Sequence, residues 1–133
     1  MNKLQGSINK IITSESLSLV YILVNNTKIT AIVIDTPTTN PLLQIGKAVT
    51  VIFKETEVII GTGTNHTISM QNKFVGPILS IESKDLLSKL IIETTVGKIT
   101  SIITTNAVKQ LKLVVGLEVT AMVKTNEILV TEW

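Results

Sequence analysis

Two lysines, Lys54 and Lys124, each close an apolar run, Val49-Thr50-Val51-Ile52-Phe53-Lys54 and Val119-Thr120-Ala121-Met122-Val123-Lys124. Small polar residues follow both, notably Thr56 after the first and Thr125-Asn126 after the second. Ser69 and Gln71 stand just before another apolar run, and Thr104 ends a further one. An ammonium among hydroxyl and amide donors suits a small dianion, because it supplies charge and hydrogen bonds without a carboxylate to repel the guest. Strand-end Lys and Thr also serve simply to solvate a sheet edge, so residue types alone leave both readings open.

Other chemistry finds little to work with. The chain has one His, no Cys and ten acids scattered along it. No nucleophile-base pairing or phosphate loop can be assembled by motif. His66 has no second His or Cys to share a metal with, and it reads as a solvated linker residue. Glu55 and Glu57 read as a solvated strand end. An enzyme is therefore not expected. Net charge is +2 and every cation is Lys. Without Arg there is no planar fork for phosphates and bases. Four aromatics, Tyr21, Phe53, Phe74 and Trp133, make a poor stacking surface. Neither nucleic acid nor membrane is expected as a partner, since no run approaches the roughly 18 uncharged apolar residues of a spanning helix. The lack of cysteine and of a signal-like apolar start fits the cytoplasm.

The elements that must position these lysines and hydroxyls are themselves repeated. Residues 2–6 read Asn-Lys-Leu-Gln-Gly and residues 72–76 read Asn-Lys-Phe-Val-Gly. At that offset of 70, Gly6 meets Gly76, Ile8 meets Ile78 and Leu17-Ser18 meets Leu87-Ser88. Lys28-Ile29-Thr30 meets Lys98-Ile99-Thr100, Gly46 meets Gly116, and Lys54 meets Lys124. This is an internal duplication, with modules over 1–61 and 69–133 joined by a polar, flexible linker at 62–68. Modules of about 60 residues lie near the lower limit for independent folding. With 44% apolar residues and only 17% charged, the halves are expected to pack on each other or on further subunits.

Each module is rich in Ile, Val and Thr, whose branched side chains suit a pleated, half-buried surface. The run Leu17 to Val24 alternates but is apolar on both faces. Asn25-Asn26 makes the turn to a strand at 28–34, and Gly97 does the same in the second module. Asp35–Asn40 and Thr105–Gln110 are polar stretches. The second reads as a helical turn capped by Asn106, whereas Pro41 ends the first quickly. Strands at 47–53 and 117–123 follow, and short strands at 56–60 and 126–131 close each module. The expected fold is all-β: two tandem five-stranded OB-like barrels, each with one short helix.

The order Asn-Lys-Leu-x-Gly, Lys-Ile-Thr-Ala-x-Val and Gly-x-x-Val-Thr-x-x-x-Lys resembles the molbindin (Mop) family, whose modules are also known as TOBE domains. A tandem pair resembles the di-Mop type. The resemblance implies cytoplasmic binding and storage of molybdate or tungstate, held between modules of a homo-oligomer, a trimer or hexamer, without direct side-chain coordination of the metal and with no organic cofactor. Its opening Ser-Ala-Arg-Asn motif corresponds to Ser69-Met70-Gln71-Asn72, and its Lys-Ala-Ser to Lys124-Thr125-Asn126 and Lys54-Glu55-Thr56. Ile103-Thr104 matches its Ile-Thr pair. The oxyanion site is thus expected from Ser69, Met70, Gln71, Thr104, Lys124, Thr125, Asn126, Lys54 and Thr56. The alternative is a regulatory or oligomerisation module whose anion sites have degenerated.

Overall fold

A computed structural model describes residues 1–133. The first half forms β1 (Asn2–Ser14), β2 (Leu17–Val24), β3 (Thr27–Val33), β4 (Ala48–Phe53) and β5 (Ile59–Thr62). The second repeats the order as β6 (Asn72–Ser83), β7 (Leu87–Thr94), β8 (Gly97–Thr104), β9 (Glu118–Val123) and β10 (Leu129–Glu132). A 3₁₀ turn precedes each last strand, Glu55–Glu57 and Thr125–Glu127. The strands make two five-stranded antiparallel sheets, confirming an all-β pair of OB-like barrels. No helix is long and apolar enough to cross a membrane.

Local chemistry explains most of this. In β2, Ser18, Val20, Ile22 and Val24 face the core, while Leu19, Tyr21 and Leu23 remain half-buried on the other face. Asn25 and Asn26 both take positive φ, 49° and 63°, which matches the right-handed twist of a two-residue hairpin. β1 and β6 each bend from one neighbour to another. β1 pairs with β4 through residues 2–7 and with β2 through 7–14, with a bulge between Ile8 and Lys10. Gly76 sits at the matching bend in β6, where a Cβ would collide with the backbone carbonyl of Glu93. Phe53, Phe74, Ile22, Ile92, Leu43 and their neighbours fill one continuous apolar core. Each such side chain contributes about 1.5–3 kcal/mol by leaving water.

Two expectations need correction. The closing strands do not close their own modules: β5 pairs with β9, and β10 pairs with β4. The sheet orders are therefore β10-β4-β1-β2-β3 and β5-β9-β6-β7-β8. The exchange obeys the repeat, since Ile59 faces Met122 and Leu129 faces Ile52. The helix also differs between halves. In the second, α1 spans Thr105–Gln110 and is capped by Thr104 rather than Asn106. In the first, the same stretch is a single turn, with the N–H of Asn40 donating to Thr36 at 2.9 Å. Pro37 and Pro41 limit its extension.

A second pair of contacts crosses between the halves. The Asn72 carboxamide accepts from the Thr30 N–H at 2.8 Å and donates to the Thr30 carbonyl at 2.8 Å. Asn2 does the same to Thr100, at 2.8 and 2.9 Å. Each amide thus pairs with an outward-facing peptide of an edge strand, as another strand would. Meanwhile several apolar side chains stay bare, among them Ile34 and Leu86, both 80% exposed.

Replacing Gly76 with Ala should cost more than about 2 kcal/mol, because backbone cannot yield to the new methyl. Gly116→Ala meets open space at φ +91° and should cost only about 1 kcal/mol. Urea unfolding of both variants, read as midpoint shifts, checks the order.

Candidate functional site

After β5 the chain does not drift free. The Thr120 hydroxyl donates to the Gly63 carbonyl at 2.7 Å, and the Lys73 ammonium donates to the His66 carbonyl at 3.4 Å. The His66 ring lies over Gly61, where a Cβ would meet it at 2.9 Å, and its Nε2 is buried without a partner. His66 is therefore a packed residue, and the reading of a solvated side chain in a flexible linker is corrected. The cause is Gly61, whose missing side chain leaves room for an imidazole.

This anchored segment delivers Ser69, Met70 and Gln71 to the start of β6. The last rung of the β6–β9 ladder pairs Asn72 with Val123, so Gln71 and Lys124 flank that rung on adjacent strands. Ile68, Ser69, Met70, Gln71, Lys124 and Thr125 together line an open pocket of about 300 Å³. The lining has one ammonium, two hydroxyls and a carboxamide, and it contains no carboxylate. Lys124 is exposed and forms no ion pair, since the one ion pair in the structure joins the Met1 amino group to Glu55 at 2.8 Å. Gln71 makes only a long contact to the Ser69 carbonyl, 3.4 Å, which leaves its amide available.

The other expected site residues lie elsewhere. Asn126 is exposed in the 3₁₀ turn after Thr125, outside the pocket lining. Thr104 and Thr56 share a different, mostly apolar groove with Ile59, Leu87 and Leu111. The Thr104 oxygen accepts from the Ala107 N–H at 3.0 Å as the helix cap. Lys54 follows β4 at the position that repeats Lys124, but Glu55 stands where the second module has Thr125. The repeated lysines therefore occupy unlike surroundings. Residue types missed Ile68 as a lining residue and missed the role of Asn72. The recurrence of Asn2 as Asn72 was the visible signal for the latter. No three His, Cys, Asp or Glu side chains come together to hold a metal ion.

Residues 68–130 match the TOBE domain model. The second half of the chain is a TOBE domain. No curated protein matches the sequence significantly. Among solved structures, the cytoplasmic molybdate-binding protein ModG, in a PEG-grown form with molybdate bound, superposes at a TM-score of 0.90 with 24% identity. The match covers 99% of this chain and 96% of that one, so both barrels and their connection share one architecture. MopII from Clostridium pasteurianum, in an apo form, is 33% identical over 44% of this chain and 90% of its own, with a TM-score of 0.43. The TOBE model spans the whole pocket lining, from Ile68 to Thr125.

Because Thr104 caps α1, Thr104→Ala should destabilise the protein by about 1 kcal/mol, while Thr104→Ser keeps the cap. A thermal melt lowered by a few degrees for Ala alone is the expected outcome.

Proposed function

We propose that this protein binds a tetrahedral oxyanion, molybdate or tungstate, in the pocket formed by Ser69, Met70, Gln71, Lys124 and Thr125. The observation that carries the reading is a lone, unpaired ammonium lining one open pocket with hydroxyl and amide donors and no carboxylate. Capture is electrostatic and hydrogen-bonded. The Lys124 ammonium offsets part of the dianion's charge, and the neutral donors set the size and the tetrahedral placement. The choice of molybdate is supported by the TOBE domain and by the shared architecture with a molybdate-binding protein. Asn126, Thr104, Thr56 and Lys54 would join an anion only where subunits meet.

The protein is accordingly read as a cytoplasmic binding and storage protein rather than an enzyme, acting as a homo-oligomer, a trimer or hexamer. Its sequence modules run over 1–61 and 69–133, joined through 62–68. Exposed apolar side chains such as Ile34, Ile45 and Leu86 are available to a subunit interface. A second reading, a regulatory or oligomerisation module with degenerate sites, is favoured by Gln71 standing where the Mop motif has Arg, and by Glu55. Glu55 replaces a neutral residue beside Lys54, so the first module presents a carboxylate where the second presents Thr125.

Isothermal titration with molybdate, with sulfate as competitor, tests the proposal. Saturable heat that excess sulfate does not abolish is expected, and Lys124→Ala should weaken it by about tenfold or more. Normal assembly with no uptake of the anion would leave the second reading standing.

A further inference from the structure

Asn72 has no place among the pocket residues, yet it follows Gln71 directly at the start of β6. Its side chain is fully buried, at 0% exposure, and spends both its polar atoms on the Thr30 peptide. Its backbone forms the final β6–β9 rung with Val123. Gln71 precedes that rung on one strand and Lys124 follows it on the other, so both polar walls extend from one fixed point. We propose that Asn72 is a positioning residue for the anion pocket, holding Gln71 and Lys124 in register by locking the rung between them to the opposite module. The inference rests on the anion-binding reading above.

The side-chain chemistry demands Asn. A carboxamide offers one acceptor and one donor at the spacing of a peptide group, and so satisfies both the N–H and the carbonyl of Thr30. Truncation to Ala leaves those two groups without partners inside the protein, a configuration that a strand end relieves by shifting. Displacement of a binding group by about an ångström is enough to cost tenfold or more in a preorganised site.

The repeat provides an internal control. Asn2 makes the same two bonds to Thr100, is 6% exposed, and forms the equivalent rung with Phe53. It adjoins Lys54, and neither residue lines the Ser69–Thr125 pocket. Asn2→Ala and Asn72→Ala therefore carry matched structural losses, with only one of them beside the pocket.

The experiment titrates molybdate into the full chain, its Asn2→Ala variant and its Asn72→Ala variant, with a thermal melt of each. Similar melting losses are expected, with affinity lowered about tenfold for Asn72→Ala and unchanged for Asn2→Ala. Equal affinity losses in both variants, or none in Asn72→Ala, would overturn the positioning role while leaving anion binding intact. Absence of molybdate binding by the unaltered protein would overturn the anion-binding reading, and this role with it. If Asn72→Ala does not fold, Asn72→Thr and Asn2→Thr, which keep one neutral hydroxyl partner, make the same comparison with the same expected contrast.

Discussion

An antiparallel sheet that ends at β4 or β9 presents a row of unpaired N–H and C=O groups, and such an edge must be covered. In this chain each edge is covered by the other half's last strand, β10 on β4 and β5 on β9. The exchange makes the two barrels parts of one folding unit. The 3₁₀ turns at Glu55–Glu57 and Thr125–Glu127 are the crossing points. Ser101 fastens the first crossing by donating to the Val58 carbonyl at 2.9 Å. The repeat position in the other barrel is Ala31, which has no hydroxyl to give. The symmetry of the backbone is thus closer than the symmetry of the side chains that secure it.

The same constraint explains where chemistry became possible. A strand that crosses between barrels must leave its own ladder at a defined rung, and Lys54 and Lys124 stand at those departures. There the regular hydrogen bonding of the ladder stops. At Lys124 the incoming segment is Ser69-Met70-Gln71, held by Thr120, His66 and Lys73 contacts, and the result is a polar pocket free of carboxylate. At Lys54 the neighbour is Glu55, already engaged in the one ion pair of the structure. A duplication that began with equal halves has come to hold unequal sites.

Stability and site geometry also draw on the same few buried polar groups. Buried amides and hydroxyls are tolerable only when partnered, and the two buried asparagines are partnered across the module boundary. Asn2 with Thr100 and Asn72 with Thr30 tie each edge strand to the start of the other half. In the second barrel, Ser88 and Thr105 share a hydrogen bond at 2.9 Å, and Thr105 donates onward to the Lys84 carbonyl. These bonds hold the hairpin tip against α1. The apolar core supplies the bulk of the stabilisation, while the polar links decide which surfaces meet.

By itself the sequence determined the strand content, the duplication and its offset, and the turns at Asn25-Asn26 and Gly97. Those features are local: β-branched alternation, positive-φ residues and self-similarity read out over a few positions. Only the tertiary structure decided that β5 and β10 trade places, because β4 and β9 both alternate around a shared Val-Thr pair and offer a closing strand the same kind of edge. It also decided that His66 packs against Gly61, that Thr104 rather than Asn106 caps α1, and that Thr104 and Thr56 stand apart from the pocket. Each of these depends on which distant backbone lies nearby. Asn72 shows the limit most clearly: its recurrence as Asn2 was legible, but its partner, the Thr30 peptide, is a backbone group that no residue type announces.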